Sequence, residues 1–229
     1  MRGLFVTGTD TGVGKTVVSA ALLAALAAAG EPVRAYKPVV TGLEDPAEIA
    51  ARGRWPADHE LLAAAAGMSP EDVAPLRYGP AVSPHLAAEL AGERIDRERL
   101  LAAARAGDAE DTLIVEGVGG LLTPLAEDCS VCDLAVALGL PVLVVARVGL
   151  GTINHTLLTL RVARAAGLRV RAVVLNPWPK RPTVLHRSNH STIARLGEVQ
   201  VERLSLVSSP AVNRLAGAGS PLVRALLDR

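Results

Sequence analysis

Aromatic side chains are nearly missing from this chain: two Trp, two Tyr and one Phe stand among 229 residues. Surfaces that stack single-stranded bases depend on such rings, so that class of partner is excluded. An excess of one charge is missing too. The formal net charge is +1 with no basic block, which argues against nucleic acid or an anionic membrane as partner. No uninterrupted apolar run reaches the roughly 20 residues of a membrane span. Met1-Arg2-Gly3 leads straight into an apolar segment without a signal-peptide pattern, so the expected location is cytoplasmic. Cysteine is confined to Cys129 and Cys132, spaced Cys-Ser-Val-Cys. That would be half of a zinc site, but no second pair or His cluster completes it, and the thioredoxin setting is absent. Two reduced thiols are the expectation. Lysine is scarce as well, occurring only as Lys15, Lys37 and Lys180 in a chain that otherwise writes positive charge as Arg.

What is present is mostly Ala, Leu and Val, with half of the residues hydrophobic. Short apolar runs alternate with helical patterns along the whole chain. Strands are expected at Leu4–Thr7, Val33–Tyr36, Thr112–Val115, Pro141–Ala146 and Val170–Leu175, with a short one near Val199. Helices are expected between them and at the C-terminus around Pro210–Leu227, and Leu43–Pro56 reads as a loop. Strands apolar on both faces and separated by helices specify a parallel sheet covered on both sides. The fold class is therefore α/β: a doubly wound, mostly parallel sheet of about seven strands, P-loop NTPase-like, as one domain over residues 1–229.

Gly8-Thr9-Asp10-Thr11-Gly12-Val13-Gly14-Lys15-Thr16 lies between the first strand and the first helix. A glycine-rich turn opening a helix cradles phosphate through free N–H groups, and Lys15 adds a full charge. The Thr16 hydroxyl suits the Mg²⁺ that accompanies a nucleoside triphosphate. The spacing departs from the usual motif: five residues, not four, separate Gly8 from Gly14. Glu116 closes an apolar strand before Gly117-Val118-Gly119-Gly120, where a second acidic Mg²⁺ group belongs; the bland alternative is a solvated carboxylate. Lys37 follows the second strand on the edge shared with the phosphate loop. It could neutralise a transferring phosphoryl group or merely decorate the surface. Asp58 reads as a helix N-cap or a further Mg²⁺ ligand. Gly151-Thr152-Ile153-Asn154 starts a helix whose N–H groups could hold a carboxylate, although ordinary capping also explains it. Asn176, at a strand end, could read a base edge or cap a turn.

Together these segments resemble dethiobiotin synthetase. The resemblance rests on Phe5 to Thr16 with the extra loop residue, Tyr36-Lys37-Pro38-Val39, Thr41-Gly42 and Ser83-Pro84-His85. It continues through Val115 to Leu121, Thr123-Pro124-Leu125 and Leu150 to Thr156, and covers the chain to about Asn176. It implies an ATP- and Mg²⁺-dependent ring closure of 7,8-diaminopelargonic acid with CO₂. By resemblance, Lys15 and Lys37 are catalytic, and Thr16, Asp58 and Glu116 hold Mg²⁺. Gly12 to Val17, Asp58, Glu116 to Gly119 and Asn176 serve the nucleotide, with Asn176 on adenine. Thr11, Lys37 and Thr41 meet the diamine or its carbamate. The family is a homodimer, in which Gly151, Thr152, Ile153 and Asn154 of one subunit take the substrate carboxylate at the other's site. Two positions depart from the family: Gly12 replaces an acidic residue found in some members, and Gln200 replaces a proline before the base-contacting turn.

Two other classes compete. A partition- or septum-type switch ATPase shares the deviant loop, but such proteins carry an extra lysine early in it, where Thr9, Asp10 and Thr11 stand here. An amidotransferase-linked ligase of corrin synthesis needs a glutaminase domain, for which 229 residues leave no room.

Overall fold

Val, Leu and Ile dominate runs too short for helices, and burying both faces of such runs demands helices above and below them. The computed structural model, which describes residues 1–226, meets that demand with alternating elements. The chain begins with β1 (Arg2–Gly8), α1 (Lys15–Ala28), β2 (Val33–Tyr36), β3 (Val39–Val40), α2 (Pro46–Arg52) and α3 (Asp58–Ala66). It continues with α4 (Pro70–Val73), β4 (Leu76–Arg77), α5 (Pro84–Leu90), α6 (Arg97–Arg105), β5 (Thr112–Gly120), β6 (Pro124–Ala126) and β7 (Cys129–Ser130). The remainder comprises α7 (Val131–Leu138), β8 (Val142–Ala146), α8 (Thr152–Ala165), β9 (Val170–Trp178), α9 (Val184–Gly197), β10 (Val201–Ser205) and α10 (Val212–Leu226).

Six strands form the central sheet in the order β10-β9-β8-β1-β5-β2, and every neighbouring pair is parallel. The chain builds β2 and β5 on one side of β1, then crosses to lay β8, β9 and β10 on the other. Ligand crevices in such sheets open at the carboxyl ends beside this reversal, which here is at β1. Alternate side chains enter opposite layers. Phe5, Val115 and Val144 join the core under α7 and α8, while Leu4, Val6, Ile114 and Leu143 join the one under α1 and α10.

The structure differs from expectation in four places. The described residues contain six strands in the main sheet, not about seven. Pro38 lacks the N–H to extend the β2 ladder, and Val39–Val40 pairs instead with β4 outside the sheet. The stretch expected as a loop contains α2, started by Asp45, whose carboxylate accepts from Ala47 and Glu48 N–H, with Pro46 in the first turn. β5 does not stop at Glu116 but runs to Gly120, because parallel pairing with β1 continues as far as Gly8. α10 spans Val212–Leu226, and Leu227 lies outside the described residues. Among those described, no helix is long and apolar enough to cross a membrane.

Candidate active site

β1 delivers the chain to the carboxyl edge, and α1 takes it away. Between them Gly14 adopts φ +86°, and a Cβ there would collide with the Asn176 amide, so both backbone and space demand glycine. No side chain caps α1, and its first turn holds no acidic residue. The N–H groups there are consequently free for an anion. Lys15 begins the helix, is buried, and donates from Nζ to the Asp10 carbonyl at 3.1 Å. Burial, followed by the charge of Lys37, lowers its pKa to about 8.

Beside this cradle four side chains from distant segments meet. Glu116 sits within β5 opposite Val6 and is fully buried. Its Oε1 accepts from Thr16 Oγ1 at 2.9 Å and from Lys37 Nζ at 2.6 Å. The same ammonium reaches Asp58 Oδ2 at 2.6 Å. Burial favours the neutral form of Lys37, but the charges of Asp58 and Glu116 outweigh it and hold the ammonium above its ordinary pKa. Burial likewise raises Asp58, and the Lys37 charge overrides it to hold the carboxyl below its usual range. Asp58 is not an N-cap. It is the first residue of α3, and Glu60 Oε2 accepts from the Ala57 N–H instead, which leaves the Asp58 carboxylate for Lys37.

Glu116 Oε2 is buried without a hydrogen-bond partner, and such an atom is costly unless something binds it. Together with Thr16 Oγ1 and the Asp58 carboxylate it forms an all-oxygen set, the donor type that a hard divalent cation prefers. The described residues hold no group of three or more His, Cys, Asp or Glu placed for a metal. This set has two carboxylates and a hydroxyl.

A cavity of about 700 Å³ opens over the cluster. Thr11, Gly12, Gly14, Lys15, Thr16 and Val17 form one wall; Lys37, Thr41, Asp58, Val118 and Gly119 also face it. Other expected residues lie elsewhere. Val13 is buried beneath the loop, where its carbonyl accepts from Asn176 Nδ2 at 3.0 Å, so Asn176 braces the cradle from outside the cavity lining. Gly117 faces the core, where a Cβ would come within 2.9 Å of Val131. Gly151, Thr152, Ile153 and Asn154 begin α8 and do not line this cavity. Gln200 precedes β10, at the sheet edge opposite the phosphate loop, and its amide donates to Glu202 and to the Ala225 carbonyl. In a parallel sheet the carboxyl ends share the ligand edge, so Gln200, at the amino end of β10, does not itself reach that edge.

Three further residues line this cavity without having been expected there: Glu48 and Arg52 of α2, and Trp55 just beyond it. The Asp45-Pro46 start of α2 was the available signal. The Thr123 hydroxyl accepts from the Gly120 N–H at 3.0 Å and fixes the turn that follows β5. Cys129 and Cys132 are free and buried, and burial raises both thiols, which makes them poor nucleophiles.

Residues 2–208 match the family described as an AAA domain. The chain is 43% identical to the ATP-dependent dethiobiotin synthetase BioD of Anaeromyxobacter sp. (strain Fw109-5), over 95% of this chain and 98% of that protein. It is 37% identical to the protein of the same name from Bacillus subtilis (strain 168), over 88% of this chain and 85% of that one. Among solved structures, cobyrinic acid a,c-diamide synthase from Mycobacterium smegmatis matches with a TM-score of 0.55 at 18% identity, covering 100% of this chain and 97% of that one. A ParA family ATPase from Chlorobium tepidum TLS matches with a TM-score of 0.51 at 16% identity, covering 99% and 95%. At such identities the structural matches speak for the P-loop α/β fold alone. The sequence relatives go further, and with them the chain belongs to the dethiobiotin synthetase family of ATP-dependent carbon–nitrogen cyclo-ligases.

Proposed function

We propose that residues 1–229 act as one P-loop-type α/β domain that converts 7,8-diaminopelargonic acid, CO₂ and ATP into dethiobiotin, ADP and phosphate. One observation carries this reading. Two buried lysines, the Asp58 carboxylate and the Thr16 hydroxyl line one cavity beside a phosphate cradle, with Glu116 buried behind them and bonded to Lys37 and Thr16. A reaction that passes through a carbamate and then a carbamic–phosphoric anhydride generates anions at two neighbouring places, and this arrangement supplies cations at both.

In the first step an amine nitrogen bonds to the carbon of CO₂ and loses a proton. A carbamate oxygen then attacks the γ-phosphorus as the bond to the ADP oxygen breaks. Finally the second amine attacks the anhydride carbon, phosphate leaves, and a proton departs from nitrogen. Lys15 lies at the phosphate wall and neutralises oxygens of the transferring group. Lys37 serves the carbamate side, where Thr11 and Thr41 orient the diamine. A preorganised donor of this kind is worth about 10²–10³-fold in rate. Thr16, Asp58 and Glu116 would hold Mg²⁺, and the orphaned Glu116 Oε2 supports that assignment. Bound there, Mg²⁺ supplies charge neutralisation at the triphosphate oxygens.

The protein works as a homodimer in this reading. α8 starts at this turn without a side-chain cap and away from its own cavity, with only the Thr152 N–H turned back to the Gly149 carbonyl at 3.4 Å and with Leu150 92% exposed, as suits a turn that completes a neighbouring subunit's site. The carboxylate of the diamine lies there. Asn176, packed against Gly14, reads the adenine with the amide oxygen that Val13 leaves free. ATP and bicarbonate are both cytoplasmic supplies, which fits a cytoplasmic enzyme. The switch-ATPase alternative is supported by fold similarity alone.

The test is phosphate release from ATP with diamine and bicarbonate added separately and together. Release is expected only with both. Turnover indifferent to them would transfer the reading to the switch class.

A further inference from the structure

β8 lies beside β1 with Val145 in register with Gly8, so Arg147, just past the strand end, emerges next to the phosphate loop. Its Nη2 donates to Asp10 Oδ2 at 3.1 Å and to the Thr11 carbonyl at 3.0 Å. Both side chains of the ion pair are more than half exposed, at 59% and 55%. A pair so wetted contributes little to stability. Its consequence is geometric.

The Thr11–Gly12 peptide is planar and trans, so a carbonyl drawn towards Arg147 turns the Gly12 N–H to the opposite side. Gly12 lines the nucleotide cavity. The other acceptors of Asp10 serve the same loop: Oδ1 takes the Thr11 N–H at 2.7 Å and the backbone carbonyl takes Lys15 Nζ at 3.1 Å. Asp10 therefore joins the guanidinium to the catalytic ammonium. The Arg147 carbonyl in turn accepts from Thr152 Oγ1 at 2.6 Å, which anchors Arg147 to the buried first residue of α8.

We propose that Arg147 is a positioning residue that presets the phosphate loop, fixing the Gly12 N–H and the Lys15 ammonium before ATP arrives. The inference rests on the loop's role as the ATP site in the reading above. A loop already ordered in its bound shape binds without the entropy cost of ordering, so Arg147 acts on ATP affinity. Truncating the side chain spares its backbone carbonyl and hence the tie to α8.

The experiment measures the ATP dissociation constant by calorimetry, with steady-state kinetics alongside, for wild type, Arg147→Ala, Arg147→Lys, Asp10→Asn and the double variant Arg147→Ala with Asp10→Asn. Arg147→Ala is expected to raise the dissociation constant and KM for ATP about tenfold, with the diamine KM within about twofold of wild type. Lysine restores part of the loss, because its ammonium keeps the charge but its flexible stem lacks the planar group that holds Nη2 between both acceptors. Asp10→Asn is expected to add little in the Arg147→Ala background, as partners in one interaction do. Wild-type ATP affinity in Arg147→Ala, or independent addition of the two losses, overturns the proposal. Should Arg147→Ala fail to fold, unchanged affinity in both Arg147→Lys and Asp10→Asn overturns it equally. A wild-type enzyme that binds ATP but never closes the ring defeats the proposed reaction, and leaves the calorimetric test of Arg147 to be decided on its own result.

Discussion

Two junctions in this molecule share one local design and differ in everything around it. At each, a buried strand of the central sheet leads to a glycine in the left-handed region and then to a 14-residue helix without a side-chain cap or an acidic first turn. The first has Gly14 at φ +86° before α1, and the second has Gly151 at φ +90° before α8. The first is enclosed: Lys15 and Lys37 are buried beside it, Asn176 presses on its glycine, and a cavity covers it. The second is bare, with nothing near the Gly151 Cβ position and Leu150 open to solvent. Similar helix starts thus sit in an enclosed, charged setting in one place and an open one in the other. Surrounding charge and burial set them apart, because a partial charge at a helix end is worth little until water is excluded from it.

The largest expected effect breaks the enclosed junction at its centre. Lys37→Met should reduce ring closure by about 10²–10³-fold. It should also cost about 3–5 kcal/mol of stability, since Glu116 is left buried without its cation. Phosphate release and urea unfolding measure the two losses, and near-normal turnover would mark Lys37 as a bystander.

Alanine at the two glycines separates backbone strain from surroundings. Gly151→Ala is expected to cost only the left-handed penalty, about 1–2 kcal/mol. Gly14→Ala carries the same penalty and a clash with Asn176 besides, so it should destabilise more and impair ATP binding. Equal losses from the two variants in denaturant would contradict the contrast drawn between them.

A pH titration sharpens the comparison further, because only the enclosed junction carries a titrating lysine. In protein free of nucleotide and metal, Lys15 has a pKa of about 8, below its ordinary 10.5. Between those values the unfolded chain holds a proton that the folded state has released, so this lysine makes stability rise with pH. Lys37 stays protonated in the fold throughout that range and opposes the rise only as pH nears 10.5, where the unfolded chain begins to release its proton. The buried thiols of Cys129 and Cys132, normally near 9, keep their protons in the fold and pull stability down as pH climbs past that value. The difference in stability between wild type and Lys15→Met isolates the Lys15 contribution, and a pH-independent difference from pH 8 to 10 would exclude it.

The smallest effect is a null one. Gln200→Ala should leave nucleotide affinity within about twofold, since the residue lies at the far edge of the sheet. A changed base preference in that variant would reverse its placement.

Much of this site was legible because its signals are local. The phosphate loop is one continuous segment, and its extra residue was visible by counting from Gly8 to Gly14. Glu116 was recognisable from the apolar strand before it and the glycines after it, although its place inside a longer strand was not. Lys37 and Asp58 stayed open at the level of residues, since a lysine before proline and an aspartate at a helix start each have an ordinary explanation. The place of Gln200 at the amino end of β10 was not legible, because linear order does not reveal which edge of the sheet a short strand starts from. Arg147 gave no signal, for its partners Asp10 and Thr11 lie more than 130 residues away.

By itself the sequence determined the alternation of apolar strands and helices, the phosphate turn and its deviant spacing. Each depends on neighbouring residues and on backbone sterics that act within a few positions. Only the tertiary structure decided that Lys37 bridges Asp58 and Glu116, and that Asn176 braces Val13 while Gln200 lies far off. Those contacts join residues 21, 79 and 163 positions apart, and the parallel sheet together with the helix and loop packed at its carboxyl edge brings them to one place. A buried charge tolerates no approximate partner, so the pairing that defines the site exists only once the sheet has closed.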